Sequence, residues 1–316
     1  MTARSLQSGA PAGERAATTP SLWARIWHND APGYLFLLPW LIGFLGLTIG
    51  PMITSFYLSF TDFDLLTSPD WVGANNYIRM FSNDPKFWAS MRVTMFFVVF
   101  SVPLKLAFAL AVAMLLNRGI RGLPLYRALF YLPSLLGASV AIAILWRQIF
   151  ASDGLINKLL AMVGIMGPSW ISNPKTSLWT LIILSIWQFG SPMIIFLAGL
   201  RQIPQDMYEA ASLDGASKWR QFVKITLPLL TPVVFFNAII QTIEAFKSFT
   251  PAFIISGGTG NPINSTLFYT LYLYQEAFGF FRMGYASALA WVLLALVSVF
   301  TAVSFLTSKY WVHYDE

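Results

Sequence analysis

The chain has 316 residues, of which 56% are hydrophobic and 11% are charged, and its mean hydropathy is +0.62. A soluble domain carries about 25% charged residues, so this composition excludes an ordinary soluble globular protein. The sequence contains no cysteine, which excludes a disulfide framework and a thiolate metal site. Its formal net charge is +6, but the basic residues are spread over short loops, so we expect no nucleic-acid binding.

Six long apolar stretches dominate the sequence and predict the fold class. Each is close to or above the roughly 20 residues that cross a bilayer as a helix, and hydrocarbon requires the backbone to satisfy its own hydrogen bonds. We therefore expect an all-α, polytopic membrane protein with six transmembrane helices. The predicted spans are residues 34–60, 93–116, 125–149, 178–200, 226–249 and 284–307.

The flanking segments complete the predicted domain organisation. Residues 1–30 are rich in Ala, Ser, Thr and Arg and read as a disordered N-terminal tail. Residues 31–310 form one transmembrane domain, and residues 311–316 form a short C-terminal tail. With both termini inside, the cytoplasmic side holds 11 Lys and Arg residues and the outer side holds 6. The positive-inside rule therefore places both tails in the cytoplasm.

The loop between spans four and five, residues 201–225, has the pattern of two short helices. Pro204 suits the first turn of a helix, and Glu209 follows where carboxylates favour the helix N-terminus. Gly215 suits the left-handed residue that ends a helix, and Ser217 is a candidate cap for a second helix. A small helix on the inner membrane face is a surface that a partner protein's groove can bind.

This loop resembles the EAA motif of binding-protein-dependent ABC importer permeases. The likeness rests on Glu209-Ala210-Ala211, then Gly215, then the run Ile225-Thr226-Leu227-Pro228. Further likeness runs from the first span to residue 305, and residues 256–288 are similar to the sugar-importer branch, of maltose and glycerol-phosphate type. The resemblance implies the ABC importer permease fold and makes this loop the coupling helix that docks on an ATP-hydrolysing subunit. The implied coupling residues are Glu209, Ala210, Ala211, Asp214 and Gly215.

The same resemblance implies the partners. They are a second permease subunit, two ATPase subunits and an extracytoplasmic solute-binding protein, in a bacterial or archaeal inner membrane. The sequence has no Gly-x-x-x-x-Gly-Lys-Ser/Thr phosphate loop, so we expect ATP and Mg to bind the ATPase subunits and this chain to be no enzyme and to hold no cofactor. The implied cargo is a sugar: a monosaccharide, an oligosaccharide or a glycerol-phosphate-like solute.

The alternative is an ion-coupled secondary transporter of a small polar solute. Such transporters place several ionisable groups near the membrane midplane. Only Lys105 and Glu244 lie clearly within the predicted spans, which disfavours this alternative.

Polar residues in spans four and five are candidates for a solute path. On span five they recur at helical spacing and share one face, and span four adds an amide and a hydroxyl beside Trp187, whose ring suits a sugar. Such groups either line a cavity or bond between helices. The related maltose permease holds its sugar with these two spans, and Gln241 and Ser248 match its contact positions. The candidates are Gln188, Ser191, Asn237, Gln241, Glu244 and Ser248. Either Lys105 or Lys247 is the expected partner of Glu244.

The predicted topology is open to a direct test. Reporter fusions after Arg121 and Ser217 should report a cytoplasmic location, and fusions after Asp70, Asn157 and Asn261 should report an external one. The measurement is the paired activity of a reporter active only inside and one active only outside. A single reversed loop would contradict the six-span arrangement.

Overall fold

A computed structural model describes residues 31–119, 122–137 and 139–313. The predicted N-terminal tail lies outside these residues, as do residues 314–316 of the predicted C-terminal tail. The chain divides into two compact units, one ending at Thr54 and one beginning at Ser55.

The secondary structure of the described residues is mainly helical, as the composition predicts. Strands β1 (Thr61–Asp62) and β2 (Asp70–Trp71) pair antiparallel, and three π-helical turns cover Leu45–Ile49, Phe222–Thr226 and Gln275–Gly279. The helices are α1 (Ala31–Phe44), α2 (Gly50–Leu58), α3 (Asn75–Ser82), α4 (Pro85–Leu116), α5 (Leu123–Leu136), α6 (Val140–Ile149), α7 (Leu155–Met162), α8 (Ser177–Trp187), α9 (Gly190–Leu200), α10 (Gln205–Leu213), α11 (Lys218–Gln221), α12 (Leu227–Leu229), α13 (Thr231–Phe246), α14 (Thr250–Ser256), α15 (Tyr269–Tyr274) and α16 (Met283–Ser308).

The apolar helices coincide with the six predicted spans, and the polytopic helical class is confirmed. Four stretches are each long and apolar enough to cross a membrane: Leu35–Leu58, Pro85–Leu116, Thr231–Ser256 and Met283–Ser308. Two further candidate spans are pairs of helices bent at a short break. α5 and α6 are inclined by 94°, and α8 and α9 are inclined by 43°. We number these spans one to six in chain order.

The bounds of spans two and five differ most from the sequence prediction. Span two begins at Pro85 rather than at residue 93, because the Asp84 carboxylate caps the helix by accepting hydrogen bonds from the backbone N–H groups of Lys86 (2.9 Å) and Phe87 (3.1 Å). Span five extends to Ser256 rather than to residue 249, with a break after Phe246.

Span two is central to the second unit, where it packs against α8, α9, α13 and α15. Phe97, Ala109 and Ala113 on this helix are buried in one continuous hydrophobic core with residues of spans four, five and six. Ala109 and Ala113 lie one helical turn apart and have no exposed surface. Small side chains at this spacing allow neighbouring helices to approach closely.

The same Asp84 carboxylate joins three helices at the predicted outer end of span two. It also accepts hydrogen bonds from the hydroxyls of Tyr272 on α15 and Tyr285 on α16. Burial raises the pKa of Asp84, but the two tyrosine hydroxyls and the two backbone N–H groups outweigh that effect and hold the pKa below its ordinary value. The carboxylate therefore stays ionised and keeps all its hydrogen-bond partners at neutral pH.

Span six begins where its backbone meets β1. The N–H of Gly284 donates to the carbonyl of Phe63 (3.0 Å), and a Cβ at position 284 would overlap the carbonyl oxygen of Thr61. Only glycine fits this approach, so the contact fixes where span six enters the fold.

Replacement of Gly284 by Ala should destabilise the protein by about 1–3 kcal/mol, the usual cost of overpacking a close contact. The measurement is the temperature at which half of the detergent-solubilised protein aggregates. Gly279→Ala is the matched control, because a Cβ at Gly279 meets open space. Equal melting of the two variants would contradict the assigned contact.

Candidate functional site

A cavity of about 500 Å³ lies between spans two, three, four and five. Five of the six predicted solute-path residues line it: Gln188, Ser191, Gln241, Glu244 and Ser248. The remaining lining residues are Phe97, Val102, Lys105, Ser134, Leu181, Leu184, Ser185, Ile240, Ala245, Lys247, Phe249, Thr250 and Pro251. The wall is therefore mixed, with an apolar floor and a set of amides, hydroxyls and charges.

The span-five face of the cavity carries polar groups that are free to bind a solute. Gln241, Glu244 and Ser248 are spaced three and four residues apart, which places them on one side of the chain as α13 ends. The amide of Gln241 and the hydroxyl of Ser248 form no side-chain hydrogen bond with any described residue. Both side chains reach the cavity, so their polar atoms can bind water or a ligand there.

Asn237 occupies a different environment from the other candidates. It lies one turn before Gln241 but has no exposed surface and does not line the cavity. Neither its amide nitrogen nor its amide oxygen has a hydrogen-bond partner among the described residues. The Asn237 side chain is therefore packed within the protein and does not face the cavity.

The charged side chains in the cavity differ in whether they form an ion pair. Glu244 pairs with Lys247 (Oε1 to Nζ, 2.9 Å), which decides between the two lysines that the sequence leaves open. Lys105 of span two lines the same cavity, and no carboxylate of a described residue lies within 4.0 Å of its ammonium.

The break in span four is stabilised by span three. Pro192 has no N–H, so the carbonyl of Gln188 lacks the donor that a continuous helix would supply. The hydroxyl of Ser134 donates to this carbonyl (2.9 Å), and the same hydroxyl accepts from the backbone N–H of Ser191 (2.9 Å). Ser134 thus supplies a donor on one side of the break and an acceptor on the other.

The Gln188 side chain makes the reciprocal contact. Its amide nitrogen donates to the carbonyl of Gly137, at the end of α5 (3.0 Å). A Cβ at Gly137 would overlap the Gln188 side chain, and a Cβ at Gly190 would overlap the backbone of Phe130 and Tyr131. These glycines allow the two breaks to meet, and they orient Gln188 at the cavity wall.

Two features of this wall differ from what residue types alone suggest. Trp187 packs against Trp146 (ring centroids 5.9 Å apart) and does not line the cavity, so its ring does not face a solute there. Ser134, Ser185 and Thr250 do line the cavity and were missed by the helical spacing of polar residues. For Ser134 the sequence offered one indication, Pro192. A proline predicts that the carbonyl four residues earlier lacks its helical donor, but it does not predict which side chain replaces that donor.

The two predicted short helices between spans four and five are present as α10 and α11, with Gly215 between them at φ +75°. The N–H of Ala216 donates to the carbonyl of Ala211 (2.9 Å), and the N–H of Gly215 donates to the carbonyl of Ser212 (3.1 Å). This pair of bonds is the Schellman motif, which requires a left-handed residue at Gly215. Ser217 caps α11 by accepting from the N–H of Arg220 (3.3 Å).

Side-chain bonds make this loop a rigid extension of span five. The hydroxyl of Tyr208 on α10 is 2.9 Å from the hydroxyl of Thr226, in the π-helical turn that leads into span five. The amide of the buried Gln221 donates to the hydroxyl of Ser212 (2.8 Å) and to the carbonyl of Ala216 (3.2 Å).

The outer face of the same loop is free to meet a partner. Glu209, Ala210, Asp214 and Gly215 are exposed and Ala211 is half-buried. The exposed fraction is 90% for Leu213 and 72% for Trp219. Large apolar side chains at such exposure, beside small residues and a carboxylate, form a surface suited to a protein partner.

A second cavity, of about 720 Å³, lies at the ends of α6 and α14. Arg147 and Asp153 line it together with residues of the segments 150–172 and 255–263. It is separate from the span-five face and contains none of the predicted solute-path residues.

Comparison with known proteins identifies the fold and the family. A solved bacterial alginate ABC transporter, in complex with an alginate-pentasaccharide-bound periplasmic protein, superposes with a TM-score of 0.78 at 21% identity, over 92% of this chain and 98% of that chain. The probable ABC transporter permease protein YesP of Bacillus subtilis is 56% identical over 91% of this chain and 94% of its own. The lactose transport system permease protein LacF of Rhizobium radiobacter is 33% identical, over 89% and 95% respectively.

The family profile of the binding-protein-dependent transport system inner membrane component matches residues 73–310. This match covers spans two to six, the cavity and the loop with Glu209 and Gly215. The chain therefore belongs to the family of inner membrane permease components of binding-protein-dependent ABC transport systems.

Proposed function

We propose that this permease passes a sugar through the cavity between spans two, three, four and five. The observation that carries the proposal is that the amide of Gln241 and the hydroxyl of Ser248 line the cavity without a side-chain hydrogen bond to a described residue. Amides and hydroxyls of this kind exchange hydrogen bonds with sugar hydroxyls. The lactose permease among its relatives supports a sugar as the cargo. Family membership leaves the ion-coupled alternative without support.

The proposed working unit contains a second permease subunit, two ATPase subunits and an extracytoplasmic solute-binding protein, in a bacterial or archaeal inner membrane. ATP and Mg bind the ATPase subunits, and this chain holds no cofactor. Both termini lie in the cytoplasm, which puts the exposed loop of α10 and α11 on the side of the ATPases. The apolar side chains of Leu35–Leu58, none of which is buried within the chain, then face lipid or the second permease.

Coupling follows from the way this loop is attached. ATP binding closes the ATPase subunits and draws the bound α10 helices together. Because Tyr208 bonds Thr226 at the start of span five, movement of α10 is transmitted to the helix that carries Gln241 and Glu244. The cavity then changes from inward-facing to outward-facing. Glu209, Ala210, Ala211, Asp214 and Gly215 form the coupling site.

The first test addresses coupling. Gly215→Val should abolish sugar uptake, because a β-branched residue is strained at φ +75°, and Glu209→Lys should abolish it by reversing the charge of the docking face. Gly215→Asn is the matched control: a Cβ meets nothing within 4 Å here and Asn tolerates the left-handed conformation, so uptake should stay within about threefold of wild type.

The measurements are uptake in cells, sugar-stimulated ATPase activity of the purified complex, and the amount of subunit in membranes. We expect normal membrane levels and uncoupled or absent ATPase stimulation in the first two variants. Normal stimulation in both would rule out this loop as the coupling element.

The second test addresses the cavity. Gln241→Ala, Glu244→Ala and Ser248→Ala should each lower uptake per assembled complex by roughly threefold to more than tenfold, because one hydrogen bond to a sugar is worth about 0.5–1.5 kcal/mol, and more to a charged partner. Ser304→Ala is a control: its hydroxyl bonds within span six and lies outside the cavity. Co-purified ATPase reports assembly. Reduced assembly with normal uptake per complex would assign these residues a structural role instead.

A further inference from the structure

The charges that line the central cavity do not balance. Its titratable carboxylates and ammonium groups are Lys105, Glu244 and Lys247. Glu244 and Lys247 neutralise each other at 2.9 Å. Lys105 therefore leaves the cavity with one surplus positive charge among the described residues.

Lys105 lies deep within span two, far from both ends of the helix. At a rise of 1.5 Å per residue it lies about 30 Å along span two from Pro85 and about 17 Å from Leu116. A four-carbon side chain does not reach across either distance. A cationic side chain at such depth is costly unless it faces a water-filled cavity or an anion, and such residues mark solute pathways.

We propose that the cavity takes sugars that carry a carboxylate, with the carboxylate bound at the Lys105 ammonium and sugar hydroxyls bound by Gln241 and Ser248. This inference rests on the proposed sugar transport and names its substrate class as uronic-acid-containing saccharides. The carboxylate supplies the charge partner that the protein itself does not provide for Lys105.

The charge count favours a carboxylate over the other classes of sugar. A neutral sugar leaves the Lys105 ammonium without a counterion when it displaces water from the cavity. A phosphorylated solute carries about two negative charges against one surplus positive charge, so its second charge has no partner on the cavity wall. The volume of about 500 Å³ lies within the about 300–1,000 Å³ range of small-molecule sites, so the cavity has room for a saccharide.

The test uses cells that express the complete transporter and a panel of paired substrates. Each pair is a labelled uronic acid disaccharide, of galacturonate, glucuronate or mannuronate, and its neutral methyl ester. Wild type should import at least one acid in preference to its ester. Lys105→Met should lower uptake of that acid by about tenfold or more, the effect of a lost charged hydrogen bond, while uptake of the ester changes by less than about twofold. Lys105→Arg keeps the charge and should retain acid uptake.

Glu244→Gln provides a change of opposite sign. It removes the negative charge, frees Lys247, and should raise the ratio of acid to ester uptake, whereas Lys105→Met should lower it. Immunoblotting of membranes and of co-purified ATPase shows whether each variant assembles, and uptake is expressed per assembled complex.

Two results would overturn the inference. One is an acid-to-ester ratio in Lys105→Met that equals that of wild type; with equal loss of both uptakes, it would mean that a lipid headgroup or a carboxylate of a neighbouring subunit holds Lys105. The second is import by wild type of the neutral esters alone. Import of none of these sugars, nor of neutral disaccharides such as lactose, would instead defeat the proposed sugar transport itself, and this inference with it.

Discussion

The constraint on which this structure depends is that a backbone group in hydrocarbon must find a hydrogen-bond partner within the protein. An unbroken helix satisfies this requirement with its own backbone hydrogen bonds. Spans three, four and five are broken, at Gly137, Gln188 and Lys247. Neighbouring side chains supply the missing bonds. Ser134 and Gln188 join spans three and four, and the Thr270 hydroxyl donates to the carbonyl of Ser248 after the break in span five.

These breaks explain why a polar cavity exists in so apolar a chain. Ser134, Gln188 and Ser191 line the cavity and also take part in the bonds across the breaks, and Ser248 lies at the break in span five. Polar atoms that the backbone requires at these points therefore also line the cavity. At the breaks of spans three and four these bonds also tie one span to the other, so that displacement of span four must either carry span three with it or break the bonds of Ser134 and Gln188.

The loop that contains α10 and α11 is not under the same constraint. It lies on a face where its backbone can be exposed, and its internal bonds, from Tyr208 to Thr226 and from Gln221 to Ser212, keep it rigid while its outer surface stays free. The loop is bonded to Thr226, and Gln241 and Glu244 follow on span five before its break after Phe246, so the loop and this face form one continuous mechanical path. In the proposed mechanism this path connects ATP binding outside the membrane to the Gln241 face inside it.

Local chemistry determined much of this from the sequence alone. The apolar runs predicted the helical membrane class, because spanning length and backbone satisfaction are properties of single segments. Likewise Gly215 and Ser217 predicted the turn and the cap in the coupling loop, since both depend on a few adjacent residues, and the spacing of Gln241, Glu244 and Ser248 predicted their shared face.

Only the tertiary structure decided what depends on contacts between distant segments. The early start of span two required the Asp84 cap, whose carboxylate also takes hydroxyls from α15 and α16. Asn237 and Gln241 both carry a side-chain amide on the same helix. Asn237 is fully buried and Gln241 lines the cavity, because different residues pack against them. The meeting of Gln188 with Gly137 and the isolation of Lys105 likewise arise between spans, because helical periodicity fixes which residues share a face but not which neighbour that face will meet.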